Sequence, residues 1–319
     1  MDTINYSEVI SKYPWIIKKN QDCILSPDSD GLLCGLFMSS RLGWKIRGVY
    51  DGKILVLEKG FKPKDCIFLD MEIFRKEIKS VGQHMVMFNK KDLPPNWSNF
   101  DNCIAANHIR NFDFNNDFKL KYPLGTIHML LSILGQFLDI EIPKSAVSLL
   151  LYTDGTFKNQ FNYPENCISW LEFLKADGPK NPLQKIFLDK HYSTYELMTA
   201  LKDLFAEIHT IGGGKRGGDK VKISDSKGHM VNIDKKSGHI NTTTRGQAES
   251  FLKLLSTKTG WSYAPANWSW GPYQIFKFRK GSIKPGKARY NHLFAQNPVS
   301  LAIISRNSIE YTIDDDGIF

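Results

Sequence analysis

The sequence predicts an α/β fold, a largely parallel sheet flanked by helices, followed by a smaller α+β part. Three observations lead there. Short apolar runs alternate with stretches of helical periodicity over residues 1–180. Aspartates follow several of those runs, which is where an open parallel sheet presents the carboxyl ends of its strands to a ligand. Beyond residue 181 the alternation gives way to two long helical patterns and several short strand-like runs.

The elements follow in order. Cys23–Leu25 is a short apolar run ending in turn residues, and Leu32, Leu33, Leu36 and Phe37 repeat behind it at helical spacing. Ile46–Tyr50 and Ile54–Leu57 read as strands joined by an Asp51-Gly52 turn. Cys66–Leu69 is another strand, ending at Asp70, and the polar stretch Glu72–Lys79 reads as a helix. Met85–Phe88 and Cys103–Ala106 read as the next strands. Leu124, Ile127, Leu130, Leu131, Leu134 and Leu138 form a helical stripe, and the apolar run Val147–Tyr152 leads into Asp154. Asp177–Pro182 is rich in chain breakers and predicts a linker, which divides the chain into domains 1–180 and 181–319. In the second, Ser193 and Glu196 form a capping box ahead of Leu197, Leu201, Leu204, Phe205 and Ile208 on one helix face. Thr244 and Gln247 predict the cap of a further helix ending near Gly260. Lys220–Ile223, His229–Ile233, Gly238–Asn241, Tyr273–Phe278, Val299–Ile304 and Ile309–Ile313 read as strands.

At 319 residues, with 42% hydrophobic and 24% charged, the chain is globular rather than disordered and long enough for one large domain or two ordinary ones. A net charge of +9 favours a polyanionic partner, although the charge is spread along the chain and a solvated basic surface accounts for it as well. The five cysteines contain no Cys-x-x-Cys pair, which argues against a thiolate zinc site and for small core residues in a reducing compartment. No apolar run reaches the roughly 20 residues of a membrane span. The first twenty residues lack the uninterrupted apolar core of a secretory signal. The expected location is cytoplasmic, with no membrane partner.

Candidate chemistry gathers on Asp28, Asp30, Asp70 and Asp154. Each of these alone is as well explained by a turn or a helix cap. As an ordered set they sit in the same kind of place, and one sheet edge can bring them together from distant positions. Two carboxylates about 4 Å apart repel by about 4 kcal/mol at an effective dielectric of about 20, a cost that a divalent cation removes. Oxygen ligands, alone or with an imidazole, suit Mg2+ or Mn2+. One or two such ions are expected.

These segments resemble a family. The stretch "SPDSDGLLCGLF" is similar to the first motif of the DHH phosphoesterase superfamily, which includes RecJ-type single-strand exonucleases, nanoRNases and family II pyrophosphatases. "CIFLDMEI" resembles its second motif and "LLLYTDGTF" its fourth. The resemblance covers roughly residues 22–156. It implies that Asp28 and Asp30 each hold one of two Mn2+ ions, that Asp70 bridges them and that Asp154 completes the site. The third motif, Asp-His-His, has no literal counterpart. Its place falls either on Asn89-Lys90-Lys91, after the strand read at Met85–Phe88, or on His108 in "IAANHIRN"; the first placement is favoured. On the first, an imidazole ligand is lost, and the lysines become phosphate contacts rather than metal ligands. The site would then keep one metal, recruit His84 or His108, or bind phosphate without turnover.

Two further stretches fit a phosphate-bearing substrate. "GGGKRGG" sets Lys215 and Arg216 among glycines that let backbone N–H groups approach phosphate, and a plain surface loop explains it equally. The stretch from Trp261 to Tyr290 interleaves Trp261, Tyr263, Trp268, Trp270, Tyr273 and Tyr290 with Lys277, Arg279, Lys280, Lys284, Lys287 and Arg289. That pattern suits stacking of single-stranded bases, or a second-domain core with a basic loop. The leading expectation is a Mn2+- or Mg2+-dependent phosphoesterase acting on single-stranded DNA, RNA or short oligonucleotides. The alternatives are a catalytically degenerate relative that binds nucleic acid or a protein, and a small-nucleotide phosphatase.

Overall fold

The computed structural model describes residues 2–215 and 217–319. The chain is an α/β fold with a mostly parallel seven-stranded sheet flanked by helices, and a smaller α+β part near the C-terminus. The strands are β1 (Asp22–Leu25), β2 (Lys45–Tyr50), β3 (Ile54–Glu58), β4 (Ile67–Leu69), β5 (Lys79–Gly82), β6 (Cys103–Ala105), β7 (Tyr273–Lys277), β8 (Arg279–Ile283), β9 (Ser300–Ser305) and β10 (Ser308–Ile313). The helices of the first part are α1 (Tyr6–Lys12), α2 (Ser29–Leu42), α3 (Ala106–Ile109), α4 (Phe114–Asp117), α5 (Thr126–Leu134), α6 (Lys144–Tyr152), α7 (Thr156–Asn162) and α8 (Pro164–Phe173). Those of the second are α9 (Thr194–Ile211), α10 (Thr242–Thr259) and α11 (Lys287–Ala295).

The large sheet runs β6-β5-β4-β1-β2-β3-β7, with β6, β5, β4, β1 and β2 parallel and β3 and β7 antiparallel additions. The chain leaves β1 toward β2 on one side and returns to place β4 on the other. The crevice between the ends of β1 and β4 is therefore the switch point at which open α/β sheets bind ligands. β1 and β4 are buried nearly throughout, which is why they read as unbroken apolar runs. Gly31, in the first turn of α2, permits the tight exit from β1: a Cβ there would overlap the Ser26 carbonyl.

The second part completes the first. β7 pairs with β3 and closes one edge of the large sheet, and α9 and α10 pack on α6. The principal core runs from Ile4 through Leu255 to Tyr273 without interruption. Of the expected linker, Asp177, Pro179 and Lys180 are exposed, while Asn181 and Pro182 are buried and the Asn181 amide donates to the Leu174 and Lys175 carbonyls. β8, β10 and β9 form the small antiparallel sheet, which shares a second core with Met85–Phe88 and α11.

Several local expectations need correction. Glu72–Lys79 is not a helix; the chain is irregular there until β5 begins at Lys79. Met85–Phe88 is not a strand. All four of its side chains are buried, and its carbonyls accept from Ile303, Tyr290, Phe114 and Asn115 rather than from a neighbouring ladder. Val147–Tyr152 belongs to helix α6. The strands expected around Lys220–Asn241 reduce to the isolated bridges Ser224–Met230 and Ile233–Ile240. The cap of α10 is Asn241, whose side chain accepts from the Thr244 N–H at 2.8 Å. Gly31→Ala is expected to lower stability by about 1–3 kcal/mol in urea unfolding, as overpacking against backbone does; a value within about 0.5 kcal/mol of the unaltered protein contradicts the tight turn drawn here.

Candidate metal centre

Three segments deliver carboxylates to the switch point. Asp30 lies in the first turn of α2, Asp70 directly follows β4, and Asp154 sits between α6 and α7. One oxygen of each lies within 4.8 Å of the others, and these three form the one such group among the described residues. Asp70 and Asp154 have φ of 64° and 52°, the left-handed region that Asp tolerates better than most residues. Both turns thus aim a short carboxylate back across the sheet edge, at a backbone cost on the order of 1 kcal/mol each.

Asp30 is fully buried and held by two backbone donors. Its Oδ2 accepts from the Thr126 N–H at 2.6 Å and its Oδ1 from the Ile127 N–H at 3.1 Å. The carboxylate therefore caps the N-terminus of α5, where exposed N–H groups and the helix dipole favour an anion. The Thr126 hydroxyl donates to Asp70 Oδ1 at 2.7 Å, so one residue aligns two of the three acids. Burial, then the neighbouring Asp28, pushes Asp30 up to about 6 despite the two backbone donors. Burial followed by the other carboxylates raises Asp70 and Asp154 as well. Asp154 is the exposed member of the three, at the rim.

Asp28 stands apart. Its Oδ1 accepts from the Gly31 N–H at 3.1 Å as the N-cap of α2, and it does not join the three-carboxylate group. It lines both clefts that flank the acids. The first, about 270 Å3, also holds Asp70, Glu72, His84 and Lys280. The second, about 360 Å3, holds Asp154, Tyr152 and Phe205.

The imidazole expected opposite the aspartates is neither at residues 89–91 nor at His108. Lys90 is bound to Asp117 at 3.0 Å and to the Asn111 carbonyl, while Asn89 and Lys91 form a turn in which the Lys91 N–H donates to the Asn89 side chain; none of the three lines either cleft. His108 packs against Trp97 and Phe100, and burial pushes it down to about 4, so it is a neutral core residue. The strand after Asp70 is β5, which ends at Gly82, and Gln83 and His84 follow it. His84 Nδ1 lies 3.1 Å from Glu72 Oε2, and its backbone N–H donates to Glu72 Oε1 at 2.6 Å. Burial works against a charge on His84, but the Glu72 carboxylate outweighs it and lifts the ring to about 9. A Cβ at residue 82 would overlap the Glu72 carboxyl, so Glu72 occupies the space an acid at 82 would need.

The remaining expectations divide. Lys215 is exposed beyond α9 and lines neither cleft, and Arg216 lies outside the described residues. Trp261, Trp268, Trp270, Tyr273 and Tyr290 are buried and act as core, with Trp261 against Phe37 and Trp268 against Trp270. Of the interleaved cations, Arg279, Lys280 and Lys287 pair with Asp315, Glu310 and Asp92. Glu72 and Thr126 went unrecognised as site residues in the sequence. Thr126 heads the apolar stripe of α5 behind a glycine, which was the available signal.

The raised Asp30 carboxyl sets a pH dependence. A folded-state value near 6 against 3.8 unfolded means the folded chain holds this proton more tightly, so stability conferred by protonation is lost as pH rises from about 4 through 6. With chelator present, the Asp30 share of the difference in urea unfolding between pH 4.5 and 7 is expected to be about 2 kcal/mol, and Asp30→Asn to reduce the difference by that amount. A slope unchanged in Asp30→Asn contradicts the assignment. No helix of the described residues is long and apolar enough to cross a membrane. No protein-family model, curated protein or solved structure matches this chain.

Proposed function

We propose that the chain is a divalent-cation-dependent phosphoesterase of the DHH type, acting on phosphodiester bonds of single-stranded nucleic acid or short oligonucleotides. The observation that carries this reading is the convergence of Asp30, Asp70 and Asp154 at the switch point. The donor set fits a hard cation. All ligand atoms are carboxylate oxygens, and burial first, then neighbouring carboxylates (Asp28 for Asp30, Asp30 and Asp28 for Asp70 and Asp154), holds each of the three up, a penalty that bound Mg2+ or Mn2+ removes. Asp30 Oδ1 takes both the Ile127 N–H and the Cys34 thiol, so Oδ2, which accepts only from Thr126, is the oxygen with a lone pair to spare, and Asp70 keeps its second oxygen beyond the Thr126 bond. Three carboxylates support one ion; the second ion implied by Asp28 has no comparable group behind it. A bound cation supplies Lewis-acid activation of water and neutralises charge at a phosphoryl group.

The protein's own groups supply the rest. Glu72 keeps His84 protonated on the wall of the first cleft, which Asp70 and the Glu310-paired Lys280 also line. The imidazolium is placed to bind a phosphate oxygen and to give its proton to a leaving alkoxide. Thr126 holds Asp70 in register, and Asp28 fixes the first turn of α2 that carries Asp30.

A second reading has its own support. Both Asp30 oxygens are already engaged as the cap of α5, which is what a chain that kept the fold and lost turnover would retain. One experiment separates the two. Mn2+ is expected to raise the melting temperature, by the mass action of a ligand that binds only the folded state, and to support hydrolysis of a single-stranded oligonucleotide. Asp154→Asn, at the exposed rim, is expected to lose about 100-fold or more in kcat/KM without unfolding. Mn2+ stabilisation without turnover points to the degenerate reading. Neither effect with Mn2+ or Mg2+ overturns the proposal.

A further inference from the structure

The second cleft is not used by the chemistry above, and its lining is unlike that of the first. Its walls are Tyr152 from α6, Phe157 and Lys158 from α7, and Leu201 and Phe205 from α9, with Asp154 and Asp28 at one end and Lys220 at the rim. Tyr152 and Phe205 meet edge to face at 5.5 Å between ring centroids. The Tyr152 hydroxyl donates to the buried Asp219 carboxylate at 2.7 Å, which fixes the ring. The Val221 N–H donates to the Pro27 carbonyl at 2.8 Å and so holds the segment bearing Asp219 and Lys220 against the first loop of the site. Phe205 is 51% exposed although it sits on the face of α9 that buries Leu201, Leu204 and Ile208. An aromatic side chain left half in water beside an ordered aromatic pair, at the edge of a carboxylate cluster, needs an occupant.

We infer that this cleft is a nucleobase site, which seats the base of the nucleotide whose phosphate lies at Asp30, Asp70 and Asp154. The ligand must be flat and apolar at one end and anionic at the other. Aromatic rings in the body of the cleft supply stacking surface, and Lys158 and Lys220 supply positive charge at its mouth. About 360 Å3 accommodates one base with its sugar and is small for a folded partner or a lipid chain. The site therefore selects nucleotide phosphoesters over simple phosphate esters and engages one base rather than a run of them. The placement of the phosphate rests on the phosphoesterase reading; the recognition of the base does not.

The test is calorimetric titration with AMP and with ribose 5-phosphate in the presence of Mn2+. AMP is expected to bind about 5- to 150-fold more tightly, the range of one stacked base. Phe205→Ala and Phe157→Ala are expected to abolish most of that preference. Ile168→Ala, an exposed apolar residue on α8 away from the cleft, is expected to leave it intact. Equal binding of the two ligands overturns the inference, as does a preference that survives both phenylalanine variants. A Phe205→Ala variant that changes only the oligomeric state also overturns it and makes the face a protein interface. If oligonucleotide hydrolysis fails while the base preference and its dependence on Phe205 hold, the reaction falls and the base site stands.

Discussion

The capping of α5 by Asp30 is the interaction on which the site depends. A carboxylate with no solvent exposure is expensive unless it is paired, and Asp30 is paired with backbone N–H groups that cannot move without unwinding a helix. That bond joins α2, which leaves β1, to α5, whose entire length is buried. Thr126, the first residue of α5, then fixes Asp70 through its hydroxyl. The switch point is thereby held open by polar contacts while the surrounding core closes around it. One anion serves both as a cap and as a member of a three-carboxylate group, so the fold and the proposed chemistry are bound to a single side chain.

The parallel strands and the acids at their ends were legible in the sequence because their causes are local. β1 and β4 are buried on both faces and read as unbroken apolar runs, and Asp-rich turns follow them. β5 was not legible. Its sequence, Lys-Ser-Val-Gly, has one large apolar residue, whereas Met85–Phe88 beside it has four. The apolar run is buried by the C-terminal sheet and α11, from more than 200 residues away in the chain, and no periodicity within the segment announces that. This drew the expected third motif to residues 89–91, which carry no imidazole, and left His84 as a residue to be recruited. The aromatic residues from Trp261 to Tyr290 failed as stacking platforms for a related reason. Composition cannot tell a ring that faces a base from a ring that faces Phe37.

Under the proposed function, the Glu72–His84 pair stands near where an Asp-His-His motif would lie. Glycine at 82 leaves room for the Glu72 side chain, which reaches His84 from the β4 side instead. The carboxylate and the imidazole are adjacent, and the carboxylate comes from the segment after β4 that also carries Asp70. Under the proposed function this substitutes a charged hydrogen-bond donor for a metal ligand on the wall of the first cleft. The site would then hold fewer ions and more protein-borne positive charge. Two clefts meeting at Asp28 give the two halves of a nucleotide separate environments, polar with His84 and Lys280 on one side, aromatic on the other.

The central claim is that Asp30, Asp70 and Asp154 together hold one divalent cation. Anomalous diffraction from crystals soaked in Mn2+ reads this directly. The account predicts a single strong peak coordinated by those three carboxylates, with His84 bound to Glu72 and not to the ion. No peak at the switch point, or a peak held by Asp28 or His108 instead, would contradict it.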